Sequence, residues 1–293
     1  MMKEQALKAT ELILNKDGSI YHLNLLPEEI GNDIILVGDP DRVGLVSQYF
    51  DHIELKKQNR EFITHTGYIG QQRISVVSTG IGEDNIDIVL NELDALVNID
   101  FNTRTIKDHL TSLRIIRLGT CGCLEAEIPV GSLIISDYAL SFSPFISFYQ
   151  RPYTKRESEL YRSVGDYFKH LPQSSMLFVA EGDPELRNHL QALGYGGLTF
   201  TCGGFYGPQY RHLRAPLIKQ DVLGYAQGFV YNDLRISNFE METAAIYALG
   251  SLLGHRCCSI SVAVANRISN IFVRNSQESI QNMIYQVINH MFR

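Results

Sequence analysis

Apolar positions along the chain follow two periods. Short β-branched runs at 33–37 (DIILV), 73–77 (RISVV), 114–118 (RIIRL), 132–136 (SLIIS) and 257–265 (CCSISVAVA) have the length and composition of strands. Between the second and third runs, Ile86, Val89, Leu90, Leu93 and Leu96 recur at helical spacing, which predicts a helix with one face on a sheet. Near the C-terminus, Ala245, Leu249, Leu252 and Leu253 form another stripe, with Gly254 placed to end it. Ile280, Met283, Ile284, Val287 and Met291 form a third. Alternating strands and helices predict an α/β fold.

Two stretches break this rhythm. Residues 137–153 (DYALSFSPFISFYQRPY) are aromatic and punctuated by proline, and read as a loop or hydrophobic contact surface where subunits would meet. Residues 206–233 carry Gly207, Pro208, Pro216, Gly224 and Gly228 among several Tyr and Arg. That segment reads either as a lid over a ligand or as a surface excursion.

A chain of 293 residues, 45% hydrophobic, can bury a large core and is read as one domain, 1–293. No run approaches the length of a membrane span, and the first residues lack the apolar core of a signal peptide, so a soluble, cytoplasmic protein is expected. The five cysteines, Cys121, Cys123, Cys202, Cys257 and Cys258, contain no CxxC pair; neither a metal site nor a disulfide framework is expected. A net charge of -6 argues against a nucleic-acid footprint, so any anion bound must be small and met locally.

Four motifs carry candidate chemistry. Gly38-Asp39-Pro40-Asp41-Arg42 follows a strand and precedes a helix, as in an anion-binding turn or a simple Asp-Pro cap. Arg117-Leu118-Gly119-Thr120-Cys121-Gly122, read as following a strand, offers a guanidinium, a hydroxyl and two glycines; Arg117 there is either a phosphate ligand or a structural ion pair. Phe239-Glu240-Met241-Glu242 stands at a helix start, where a carboxylate is favoured by the macrodipole. It can equally bind sugar hydroxyls, with the Met241 thioether along the ring. Phe205, Gln209 and Arg211 bring an aromatic ring, an amide and a guanidinium within seven residues, a trio able to read a planar base.

Together these motifs resemble the uridine phosphorylases of the nucleoside phosphorylase superfamily, trimeric and hexameric type. The resemblance runs nearly end to end, through YHLNL at 21–25, VGDPDRV at 37–43, NREF at 59–62, STGIG at 78–82, RLGTCG at 117–122, GFYGPQYR at 204–211, FEMET at 239–243 and ANR at 265–267. It implies a three-layer α/β/α fold around a mixed, partly barrel-like sheet. It also implies phosphorolysis of a pyrimidine nucleoside, with phosphate as co-substrate and no cofactor.

Residue by residue, the resemblance implies phosphate binding by Gly38, Arg42, Arg117 and Thr120, with Arg60 from a neighbouring subunit. Met241 and Glu242 would hold the ribose, and His22 of the neighbour would reach its 5′-hydroxyl. Phe205, Gln209 and Arg211 would recognise the base, with Arg267 shaping that pocket from behind. A site shared in this way implies a homo-oligomer, a dimer or a hexamer of dimers. Purine-specific relatives place an Asp near the position of Asn266 to protonate the base. The alternatives are a purine or hydrolytic relative and, in another class, a non-catalytic nucleoside or phosphate sensor.

Two residues depart from the family pattern, and an N-terminal extension stands apart from it. Asn85 stands where a serine would help bind a potassium ion between subunits, with Glu61 and Ile81 as the other contributors. Tyr210 replaces a small or acidic residue within the base motif. An extension, 1–20, precedes the first motif.

Overall fold

The structure, a computed structural model, describes residues 6–293. The chain begins its sheet with β1 (Asp33–Val37), then α1 (Asp41–Ser47) and an antiparallel run of β2 (His52–Asn59), β3 (Phe62–Ile69) and β4 (Gln72–Ser78). The long α2 (Glu83–Asn98) follows, then a two-stranded hairpin of β5 (Ile99–Asp100) and β6 (Thr105–Ile106). Next come β7 (Arg114–Cys123), β8 (Leu133–Phe142), α3 (Lys155–Phe168), β9 (Leu177–Glu181), α4 (Pro184–Leu190) and β10 (Tyr195–Thr201). The last third holds α5 (Val222–Gly228), β11 (Val230–Tyr231), β12 (Leu234–Glu240), α6 (Thr243–Leu252), β13 (Arg256–Asn266), β14 (Ile271–Phe272) and α7 (Ser276–Phe292).

Twelve of these strands form one mixed sheet with the order β11-β12-β10-β8-β13-β7-β1-β4-β3-β2, to which β9 and β14 add at β8 and β13. β12 also pairs with β7, through Asn238 opposite Cys123 and Phe239 opposite Gly122. That contact closes β12, β10, β8, β13 and β7 into a five-stranded ring, the partly barrel-like sheet expected from the resemblance. β1 lies between β4 and β7 in parallel register, and four of its five residues are buried, as a strand covered on both faces requires. β2 is the far edge; its exposed positions, His52, Glu54, Lys56 and Gln58, keep that edge polar.

The helices supply the outer layers. The apolar stripe of α2 and nearly the whole of α6 form one core with β1, β4 and β7; Thr243 to Gly250 are all buried, so α6 is apolar around its full circumference. α1, α4 and α7 cover the opposite face, where Met283, Ile284, Val287 and Ile288 meet Ile35, Val76 and Ile260. A third core joins α3 and α5 to β9, β10 and β12. Gly254 has φ +82° directly after α6, the left-handed conformation expected of a helix-ending glycine.

The structure moves several boundaries. β8 continues through Phe142, so the first third of the stretch read as a loop, 137–142, is a strand hydrogen-bonded to β9 and β10. Its polar residues, such as Ser136 and Ser141, are buried inside the sheet, where alternation gives no outward signal. Only then does the chain leave the sheet, with Phe145 buried and Phe148 exposed. In 206–233, the second half is not a loop: Val222 and Ala226 seat α5 in the third core. Leu12 and Ile20 of the N-terminal extension are likewise buried, and Arg104 ties its backbone by donating to the carbonyls of Leu7 and Lys8 at 2.8 and 2.9 Å. Residues 1–5 of that extension lie outside the described residues.

Candidate active site

Arg117 occupies the middle of β7, 5% exposed, flanked by Leu36 of β1 and Ser259 of β13 in register. A guanidinium in that position costs several kcal/mol of desolvation unless its charge is met. Two carboxylates meet it: Glu242 pairs with Nη2, and Glu240 lies 3.3 Å from Nη1, which also donates to Ser261 at 3.3 Å. Burial opposes the Arg117 charge, but Glu242 and Glu240 more than offset it and hold its pKa above the usual value.

The RLGTCG motif therefore lies within the strand rather than after it. Its glycines serve close approach instead of flexibility. A Cβ on Gly119 would come within 1.8 Å of the Arg117 guanidinium, and one on Gly122 would lie 3.5 Å from Arg211 and 3.3 Å from Arg267. Thr120 remains partly exposed, between the two glycines.

The carboxylates have separate tasks. Glu240 ends β12 and accepts from the backbone amides of Glu242 and Thr243, from the Thr243 hydroxyl at 2.8 Å and from the Thr201 hydroxyl, so it caps the start of α6. Glu242, at the N-cap position itself, makes no side-chain cap. Its carboxylate is free to face Arg117 and to accept from the Gly82 amide at 2.8 Å. Burial pushes the Glu242 pKa up; the Arg117 guanidinium pulls against that shift, and the neighbouring Glu240 adds to it. Glu240, the residue sequence reasoning passed over, was signalled only by its place two residues before the N-cap.

Arg42, on α1, reaches the same region and donates to the Leu118 carbonyl at 3.0 Å. It is 8% exposed; burial, then the Arg117 cation, pull its pKa down. Gly38 ends the β1 side of this cluster, with the Gly80 carbonyl 3.4 Å from where its Cβ would be. Two cations with a carboxylate paired to one of them make a place for a small anion and a polyhydroxyl group side by side.

The base motif is a compact turn. Gly207–Gln209 form a 3-10 turn closed by Tyr210 at φ +56°. Arg211 folds back, its guanidinium 3.8 Å from the Phe205 ring centroid, and donates to the Phe205 carbonyl at 2.9 Å and to the Gln209 side-chain oxygen. Arg267 leaves β13 and donates to the Gln209 carbonyl at 3.1 Å. Burial, then the neighbouring Arg267 cation, lower the Arg211 pKa to about 10. Gln209 is buried while Phe205 is half exposed. A cavity of about 1180 Å³ lies alongside, and Met241, Pro208 and Tyr210 line it together with Phe200, Phe148 and Glu83.

His22 and Arg60 are not brought to this cluster. The His22 ring is held by Glu92, and Arg60 projects from the β2–β3 turn at φ +54°. Glu61 and Asn85 both approach Gly80, whereas Ile81 is 70% exposed. Asn266 is spent on the backbone: its amide donates to the Glu125 and Ile128 carbonyls, and its oxygen accepts from Ile268 and Ser269.

The model of the phosphorylase superfamily matches residues 33–292. The chain belongs to this superfamily. A uridine phosphorylase from Thermococcus kodakarensis is 30% identical over 88% of this chain and 81% of its own length. The crystal structure of a Trypanosoma brucei nucleoside phosphorylase described as showing uridine phosphorylase activity superposes with a TM-score of 0.86 at 26% identity, over 96% of this chain and 99% of that one. A DeoD-type purine nucleoside phosphorylase from Streptococcus suis is 23% identical over 89% of this chain and 92% of its own length. The resemblance read from the motifs is thereby borne out, and with it the assignment of this phosphorylase as a pentosyl-transferring enzyme. Among the described residues, no helix is long and apolar enough to cross a membrane.

Proposed function

We propose that this phosphorylase cleaves uridine with inorganic phosphate, reversibly, to uracil and ribose 1-phosphate, with deoxyuridine and thymidine as further substrates. The observation that carries the reading is the buried Arg117–Glu242 pair, together with a base motif whose Gln209 and Arg211 are already joined. Arg42, Arg117, Thr120 and the Gly38 turn receive phosphate; Glu242 accepts from ribose hydroxyls while Met241 lies along the ring. Phosphate entering beside Arg117 takes over part of its charge, which frees the Glu242 carboxylate for the sugar.

As the glycosidic bond lengthens, positive charge grows on the ribose and negative charge on the leaving base. The phosphate anion stabilises the first. Arg211 and Gln209, held in place by Arg267, stabilise the second as donors and an acceptor matched to the carbonyl and imide edge of a pyrimidine. Each donor that strengthens in the transition state contributes about 3 kcal/mol. Asn266, with its amide and oxygen bonded to backbone, offers no proton to a purine N7. This supports pyrimidine over purine.

His22 and Arg60 act on the site of a second copy, so the working unit is a homo-oligomer with shared sites, acting in pyrimidine salvage in the cytoplasm. In this reading 1–293 is one domain, 206–220 is the part able to cover the site, and no cofactor is used. The test is release of uracil from uridine with and without phosphate, with thymidine and inosine in parallel. Phosphate-dependent release from uridine is expected. Release without phosphate, or cleavage of inosine alone, would overturn the reading.

A further inference from the structure

Glu92 lies on α2 and its carboxylate spends every hydrogen bond on one short segment. Oε1 and Oε2 each accept from the His22 amide at 3.0 Å, Oε2 accepts from the Leu23 amide at 2.7 Å, and Oε1 lies 2.7 Å from the ring Nδ1 of His22. An ionised carboxylate can only accept, so the ring nitrogen it meets carries the hydrogen. Asn59 clamps the same segment from the other side, its amide donating to the His22 carbonyl at 2.8 Å. Tyr21 and Phe62 meet the ring edge to face, with centroids 4.7 and 6.2 Å away. Even so, a quarter of the His22 side chain stays accessible.

The same helix separates the Glu92 carboxylate from the start of the candidate ribose site. α2 starts beside Gly82, whose amide holds Glu242, and Glu92 lies nearly three turns further on. At 1.5 Å per residue the two are roughly 15 Å apart along the axis. Glu92, in the second half of α2, pins the His22 ring, and Asn59 of the β2–β3 hairpin holds the same segment. An imidazole held this firmly that is still partly accessible is able to meet another molecule.

We propose that Glu92 is a positioning residue that keeps the His22 proton on Nδ1, leaving Nε2 as the acceptor for the 5′-hydroxyl of a nucleoside bound by a second copy. This rests on the reading of His22 given above. A segment merely tied down for folding would need the two backbone bonds alone; the bond to Nδ1 also fixes which nitrogen carries a lone pair.

The test compares kcat/KM for uridine and 5′-deoxyuridine in the full-length protein. His22→Ala is expected to lower the uridine value about 10-fold, the worth of one hydrogen bond of this strength, and to leave 5′-deoxyuridine unchanged. Glu92→Ala should reproduce that selective loss and add nothing in a His22→Ala background. If Glu92→Ala keeps the preference for uridine while His22→Ala abolishes it, the proposal fails and the role of His22 stands. If His22→Ala itself keeps the preference, that role fails and takes the proposal with it. The tautomer can be read without any variant, from the ring nitrogen NMR shifts of His22 in the intact protein. A proton on Nδ1 is expected, and a neutral ring protonated on Nε2 would overturn the proposal even if Glu92→Ala does not fold.

Discussion

With Glu240 at 3.3 Å and Glu242 closer still, the Arg117 guanidinium neutralises two buried carboxylates. Of the two alternatives that the strand position left open, the structural ion pair is present, and the ligand role is the one proposed above. Arg117→Ala strands Glu240 and Glu242 without a cation, and loss of one partner of a buried pair costs about 3 kcal/mol or more. Phosphorolysis is expected to vanish and the thermal midpoint to fall together. Arg117→Lys should recover much of the midpoint but little activity, because an ammonium cannot span Glu240, Glu242 and phosphate in one plane. Activity of Arg117→Ala near wild type in a steady-state assay would remove Arg117 from the site.

Each element reaches the site through its end. α6 arrives with Glu240 capping it and Glu242 released; α2 arrives with Gly82, at φ +96°, lending its amide to Glu242. The next residue, Glu83, is 6% exposed, and burial lifts its pKa to about 7, with the Ser143 and Ser141 hydroxyls opposing the shift and Glu240 adding to it. The unfolded chain releases this proton near 4.5 and the native state near 7. Between those values the native state binds more protons, so stability falls as pH rises and the loss is complete above pH 7. Glu83→Gln removes the titration. Its stability relative to wild type should rise across that window by something on the order of 3 kcal/mol, and stay level above it. Thermal unfolding at pH 5 and pH 8 measures this, and an unchanged difference would place the Glu83 carboxyl in the ordinary range. Nothing in the local sequence signals the shift, because it arises from β8 and β12 packing over the first turn of α2.

At the scale of the whole molecule, the candidate residues divide into two groups. Arg42, Arg117, Glu242 and the base turn converge through the closure of β12 on β7, whereas His22 is tied to Glu92 and to Asn59, the residue before Arg60. If the second group works on a neighbouring copy, chains carrying Arg60→Ala and chains carrying Arg117→Ala fail separately but complement each other. In a randomly mixed dimer one site of each mixed pair is intact, so about a quarter of wild-type activity should return after co-refolding. No recovery, with mixed oligomers demonstrated by mass spectrometry, would show that both residues act within one chain.

The sequence by itself determined the α/β class, the stripes of α2, α6 and α7, and the motifs that tie this chain to the phosphorylase superfamily, because hydrophobic period and short glycine-arginine runs are local properties. It also placed the base motif at 204–211 as a unit, since Phe205, Gln209 and Arg211 contact one another across a single turn. Only the tertiary structure decided that β7 and β8 run on through residues read as loops, since their polar side chains face the inside of a closed sheet. Only the fold assigned the cap to Glu240 and the free carboxylate to Glu242. Two glutamates two residues apart look alike along a chain, and what separates them is which one finds backbone amides to accept from and which one finds Arg117.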